Sequence, residues 1–274
     1  MTRLEIEHDS LFDYSREVFL EPHTLRLRPR NSWRQHLVHF DLDVDPEPAG
    51  RADNLGLDAP ETVLWFSGVT SHLRIRTRSV VDLPESLPFA FLLDPGFLAF
   101  PAEYSQPELS RLLPCLPREH TDAAVGDYAA EAATAVGHEV LPFLTELARR
   151  LWQDLDKTIR ETGDPMPSGQ TLAGGTGACR DMAELFVDAC RAQGLAARFV
   201  SGYCESEVDA ERYLHAWFEV YLLGGGWRGF DPRASPSATD SSPSRMDPHT
   251  RRRARTRVLT AARGSSPLCR RGSA

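Results

Sequence analysis

Apolar and charged residues alternate in short runs through the first third of the chain. Leu25 and Leu27 alternate with Arg26 and Arg28. Phe40, Leu42 and Val44 alternate with Asp41, Asp43 and Asp45, and Leu73 and Ile75 with Arg74 and Arg76. A period of two sends one kind of side chain to each face of a pleated strand, so these runs predict half-buried strands. Pro29 to Ser32 and the stretch from Pro46 to Pro60 separate them, and residues 1–83 read as a β-rich domain. Seven prolines between 84 and 120 predict a connecting segment in which regular structure is hard to sustain. From about 121 to 162 the period lengthens: Phe143, Leu144, Leu147, Leu151 and Leu155 recur at steps of three and four, the mark of a helix that Gly163-Asp164-Pro165 ends.

The pattern is most informative between Thr171 and Pro232. Gly174-Gly175-Thr176-Gly177 reads as a flexible loop. Behind it Met182, Leu185, Phe186 and Ala189 mark one face of a helix, with Gly194 as its terminator. Cys179 therefore falls at or near a helix N-terminus. Two strands follow, Ala196 to Tyr203 and His215 to Leu222. On the second, His215, Trp217, Glu219 and Tyr221 share one face, and Ala216, Phe218, Val220 and Leu222 the other. Gly224-Gly225-Gly226 makes a hairpin loop, and a third strand returns from Trp227 to Asp231. Hairpin pairing brings Asp231 to within about three residues of the level of His215.

Those three side chains suggest chemistry. The unpaired amides and dipole of a helix N-terminus favour a thiolate at Cys179, and the same amides can stabilise an oxyanion. A thiolate nucleophile needs a base, and a base needs a group that fixes its tautomer. Cys179 as nucleophile, His215 as base and Asp231 as orienter satisfy that sequence of needs within 53 residues. The remaining cysteines and histidines show no partner pattern, and Cys190 reads as core packing. No C-x-x-C pair is present, so zinc ribbons and dithiol redox motifs are excluded. The spacing Asp41-Asp43-Asp45 resembles a calcium loop, but Pro46 stands where glycine is needed and Ala52 where the bidentate glutamate is needed. A solvated strand face is the better reading. No Lys-Ser/Thr follows the glycine loop, which argues against phosphate binding. No metal or other cofactor is expected.

Charge changes the picture at one end. Residues 233–274 hold ten arginines and two aspartates, a net of +8, against a net of −16 for residues 1–232. An acidic body argues against nucleic acid as the main partner. No stretch approaches the ~20 apolar residues of a membrane span, and the first 20 residues lack a signal-peptide pattern. A cytoplasmic protein is expected, with its oligomeric state left open. The tail is too polar and too rich in Ser, Pro and Arg to pack, so it reads as disordered.

The blocks Gly-Ala-Cys-Arg-Asp-Met-Ala-Glu-Leu (177–185), Arg-Phe-Val-Ser-Gly-Tyr (198–203), His-Ala-Trp-Phe-Glu-Val-Tyr (215–221) and Gly-Trp-Arg-Gly-Phe-Asp-Pro (226–232) resemble the transglutaminase-like superfamily. Tyr14, Glu17-Val18 and Leu25-Arg26-Leu27-Arg28-Pro29 are similar to the N-terminal region of its bacterial branch. The resemblance implies an α+β architecture: a β-rich domain (1–83), a proline-rich connector (84–120), and a papain-like core (121–232) whose cysteine-bearing helix packs on an antiparallel sheet. It implies a Cys179–His215–Asp231 triad attacking an amide carbonyl of a peptide or protein substrate to give a thioester. Water then completes hydrolysis, or an amine completes transfer; a non-catalytic scaffold is the third possibility. Arg180 and Asp181 match the family's Cys-Arg-Asp motif and are expected to be structural. Past Asp231-Pro232, where relatives continue with a further core strand, residues 233–274 depart from the family. Degenerate codons for 233–246, read one base earlier, permit a strand-like Gly-Leu-Ala-Val-Ser-Asp-Arg-Leu-Val-Ala-Val-Ala-Tyr, so a frameshifted tail is the preferred reading of that departure.

Overall fold

The computed structural model describes residues 1–32, 35–55, 60–84, 91–116, 122–160, 163–203, 214–230 and, as backbone, 257–263. Asp231, Cys204, Cys269 and the rest of the tail lie outside the described residues. The described residues form two compact units, one built on Met1–Ser86 and one on residues 91–230.

The first unit contains β1 (Thr2–Phe19), β2 (His23–Leu25), β3 (His36–Asp45), β4 (Gly50–Asn54), β5 (Glu61–Trp65) and β6 (Val69–Leu83). β6 lies antiparallel between β1 and β3, and β5 between β2 and β4. Leu20, Leu64, Phe66, Leu73 and Ile75 form its core, flanked by Phe12, Leu25, Leu42 and Val44. The alternation in the sequence is thus read correctly, and its polar half has a definite role. Arg74, Arg76 and Arg78 of β6 face Asp45, Asp43 and Asp41 of β3 in register. Arg76 meets Asp43 at 2.5 Å, Arg74 turns to Asp9 of β1 at 2.6 Å, and Arg78 pairs with Glu5. The three aspartates therefore belong to an exposed strand face. Of the tail expected to lack regular structure, Arg257–Arg263 forms a strand, β12, parallel to β1. An unpaired strand edge accepts an extended segment through its backbone groups, so such pairing asks little of side-chain pattern.

The second unit contains α1 (Gln106–Leu112), α2 (Ala123–Ala135), α3 (Val140–Asp154), β7 (Asp156–Lys157), α4 (Ser168–Gly174), β8 (Thr176–Gly177), α5 (Cys179–Ala192), β9 (Ala197–Gly202), β10 (His215–Leu222) and β11 (Gly226–Phe230). β10 is the central strand of an antiparallel sheet ordered β11-β10-β9, and α5 packs on it. Phe143, Leu147, Leu151, Met182, Leu185, Phe186, Phe218 and Val220 are buried in one core.

Three local expectations are corrected. The proline-rich segment carries α1 and two short 3-10 turns, and it buries Phe97, Tyr104 and Leu112 in this core. Prolines at the start of a helical turn cost no hydrogen bond, and here they occupy such places. The helix expected over 121–162 is two helices, parted where Gly137 and His138 take left-handed backbone (φ 66° and 61°). It ends at Asp154 because Asp156 and Lys157 pair with Thr176 and Gly177. The glycine loop ahead of Cys179 is no loose tether. Gly174 closes α4, Gly175 is its left-handed cap (φ 63°), and Thr176-Gly177 is strand β8.

Candidate functional site

Cys179 is the first residue of α5, is partly exposed and forms no disulfide. The turn that presents it is held by Asp181, whose carboxylate is fully buried. One carboxylate oxygen accepts the Ala178 N–H at 2.8 Å; the other accepts the Met166 N–H at 2.8 Å and the Arg160 guanidinium. An acidic side chain at this position caps the helix and suits its dipole. Arg180 donates to the Arg160 carbonyl, and the Thr158 N–H donates to Gly177 at 3.0 Å. Thr158, Arg160 and Met166 thus brace the helix start from outside. A side chain at Gly177 would come within 3.2 Å of both Thr171 and Asp181, which is why glycine stands there. Asp181 and Arg180 thus both make contacts that hold the helix start. The partners Arg160 and Met166 were not legible, because nothing in their local sequence points at a carboxylate 15 to 21 residues away.

His215 opens β10, opposite Gly202 of β9, and is 4% exposed. The other end of the layer fixes its height relative to Cys179. The Arg191 guanidinium, near the end of α5, donates to the Ala197 carbonyl at 2.8 Å, and the Tyr221 N–H donates to Ala196 at 2.9 Å. Tyr104 pins the same corner: its hydroxyl accepts from the Ala196 N–H and donates to the Tyr221 carbonyl. Midway, Phe186 of α5 stacks on Phe218 of β10, ring centroids 3.4 Å apart. Helix and strand therefore run in the same direction. From the stack back to Cys179 is seven residues of helix, about 10.5 Å at 1.5 Å per residue. From the stack back to His215 is three residues of strand, about 10 Å. By these rises the two backbones reach the same end of the layer. A helical Cβ leans toward the N-terminus, so the Cys179 side chain is directed past the first turn toward that end.

The third expected residue, Asp231, lies outside the described residues. The last pair of the β10–β11 ladder is Phe218 with Phe230, immediately before it. Cys190 is core packing, as read from the sequence: it is 0% exposed, and burial pushes its thiol pKa up. Cys115 is partly exposed, and its carbonyl accepts from Arg191. Beyond the expected residues, Trp217 lies beside His215, ring centroids 6.0 Å apart and planes inclined by 31°. On the same strand Glu219 is paired with Arg198 at 2.8 Å, and the Arg198 guanidinium lies 3.9 Å over the Trp227 ring. Among the described residues no cluster of His, Cys, Asp or Glu could hold a metal ion. Among them, too, no helix is long and apolar enough to cross a membrane.

Residues 129–232 match the transglutaminase-like superfamily, and residues 4–82 match the bacterial transglutaminase-like N-terminal region. An uncharacterized protein of Mycobacterium tuberculosis is 30% identical over 256 residues, covering 84% of this chain and 78% of its own. One of Mycobacterium leprae is 27% identical over 255 residues, covering 88% and 86%. Among solved structures, the Cytophaga hutchinsonii protein named "putative cysteine protease" superposes with a TM-score of 0.61 at 18% identity, over 82% of this chain and 74% of that one. That likeness is one of fold. With both regions matched in order and a relative at 30% identity along most of its length, the chain belongs to the transglutaminase-like superfamily, a family of thiol-dependent enzymes.

Proposed function

We propose that the protein is a cysteine-dependent hydrolase of amide or peptide bonds, with Cys179 as nucleophile, His215 as base and acid, and Asp231 as orienter. What supports the reading is that a cysteine at the first position of a braced helix and a histidine that opens the strand under it lie, by their counted rises, toward the same end of the layer. A ladder that kept its register one step beyond Phe230 would set Asp231 opposite Trp217, two residues from His215. By pleat alternation those two positions share a face.

In the reaction, His215 takes the thiol proton and the Cys179 thiolate attacks the carbonyl carbon, moving the π electrons onto oxygen. Amides of the first helical turn favour that oxyanion. Collapse of the tetrahedral adduct breaks the C–N bond, and His215 returns the proton to the leaving amine. Water, deprotonated by His215, then attacks the thioester and releases the acid and the thiolate. An acceptor amine in place of water would give transfer instead. The substrate is accordingly a peptide or protein amide.

The test is iodoacetamide alkylation of the folded protein across pH, mapped by mass spectrometry. Selective labelling of Cys179 below pH 7, weakened in His215→Ala and in Asp231→Ala, is the expected result. With Cys190 protected, labelling of Cys179 no faster than that of Cys115, Cys204 and Cys269 would refute the reading.

A further inference from the structure

We infer that Trp217 is a positioning residue for His215: its indole holds the imidazole in place and favours its protonated form. The inference rests on the proposed Cys179–His215 chemistry and adds a residue to it.

The register makes the arrangement specific. His215 pairs with Gly202, and Trp217 pairs with Val200, two steps along the same ladder. Residues two apart on a strand share a face, so the indole and the imidazole emerge side by side. The indole does not stand away from the sheet. A Cβ built on Gly202 would lie 2.6 Å from its Cη2 and 3.1 Å from its Cζ3, so the six-membered ring lies over the backbone of Gly202. That is the residue directly across from His215. The ring is folded toward the histidine and occupies the space any side chain at 202 would need. The chain has glycine at 202 for that reason: its φ is not in the left-handed region, so the turn itself does not require it.

At 6.0 Å between centroids the indole is at the edge of the range in which an aromatic face attracts a cation. His215 is buried, and burial alone disfavours an imidazolium. An aromatic neighbour offsets part of that cost and also restricts rotation of the ring. Among the described residues, the titratable and charged groups nearest it in register and chain are as follows. On β10, Glu219 is taken up by Arg198 of β9. Next to Gly202, Tyr203 has its phenol pKa pushed up by burial. On α5 stand Cys179, Arg180 and Asp181, the last held by Arg160. The thiolate–imidazolium pair is the species a neighbouring indole would stabilise.

The experiment follows the acid limb of Cys179 alkylation by iodoacetamide in the full-length protein and its variants, with burial of Cys190 as the check on folding. Trp217→Leu removes the ring, and the limb is expected to move up by about half a pH unit or more. Trp217→Phe keeps a smaller ring and moves it less; if Trp217→Leu exposes Cys190, the Phe variant carries the test. In a His215→Ala background, Trp217→Leu adds no further shift. An unchanged limb in Trp217→Leu, while His215→Ala still moves it, overturns the inference and leaves the proposed chemistry intact. An equal shift with and without His215 overturns it too, because the effect then does not act through the imidazole. A parent protein with no limb that depends on His215 takes down both.

Discussion

Replacing Asp181 tests whether the start of α5 is held as described. The carboxylate is fully buried and receives two backbone N–H groups, those of Ala178 and Met166, at 2.8 Å each. A hydrogen bond to a charged acceptor contributes about 1.5–3 kcal/mol, and a buried donor left unpaired costs a comparable amount. The Arg160 contact adds little to the loss: that side chain is 34% exposed and keeps a bond to the Asp164 carbonyl. Asp181→Ala should therefore cost about 3–5 kcal/mol, and Asp181→Asn about 1–3 kcal/mol, because an amide can keep only one of its two ends as acceptor. Cys190 supplies a probe inside this unit. It is fully buried with a raised thiol pKa, so pulse alkylation in a urea series reads unfolding of the α5 layer itself. The expected result is a lowered midpoint for Cys190 labelling in both variants, larger for Ala, together with loss of the selectivity of Cys179. A shift equivalent to less than about 0.5 kcal/mol in Asp181→Ala would show that the brace contributes nothing and refute the reasoning.

Gly202→Ala places a methyl 2.6 Å from the Trp217 ring, so it should cost about 1–3 kcal/mol by the same Cys190 assay, and Trp217→Leu in the same chain should recover part of it. Glu146 is held at about 2 by Arg149, and further by Arg150, in bonds of 2.6–2.9 Å. Its folded value lies below the unfolded one, so its contribution is present above about pH 4.5 and fades as pH falls toward 2. Glu146→Gln should remove about 1–3 kcal/mol of that acid-side dependence, measured as urea midpoints at pH 6 and pH 3; equal slopes for parent and variant would contradict it. A chain translated one base earlier from residue 233 should raise the midpoint of Cys190 labelling. An unchanged or lowered midpoint would dispose of the frameshift reading.

The sequence disclosed most where a period repeats. β10 occupies its expected residues, His215 to Leu222, and α5 begins at Cys179 as its apolar stripe and the Gly194 stop require. Apolar alternation likewise located β3 and β6. It failed where local composition and tertiary context disagree. Prolines suggested a structureless connector, yet Pro107 sits in the first turn of α1 and the segment delivers Tyr104 to the corner of the sheet. Glycines suggested slack before Cys179, yet they form a helix cap and a strand. In both cases the residue type restricts or frees the backbone, and packing decides what use is made of that. Contacts such as Arg160 with Asp181 join segments 21 residues apart, and no periodicity records them.

The unit around the cysteine is anchored unevenly, and that bears on how it works. Its far end is fixed by the Arg191 guanidinium, which ties α5 to the Ala197 carbonyl, and by the Tyr104 hydroxyl and the Tyr221 amide, which tie Ala196 to β10. Its middle is filled by Phe186 on Phe218, with Phe230 stacked alongside. Toward the near end the sheet thins to Gly202 beneath an indole, and the helix start is held by one buried carboxylate. Among the described residues at that end, Cys179 is set by the Asp181 cap and His215 by its place opposite Gly202 and beside Trp217. Precision at a reactive pair requires that supporting groups be fixed before substrate arrives. Among the described residues β11 is an edge strand of this sheet, and Asp231 follows directly on it. In the proposed triad, the orienting role of Asp231 therefore depends on how firmly that edge is held.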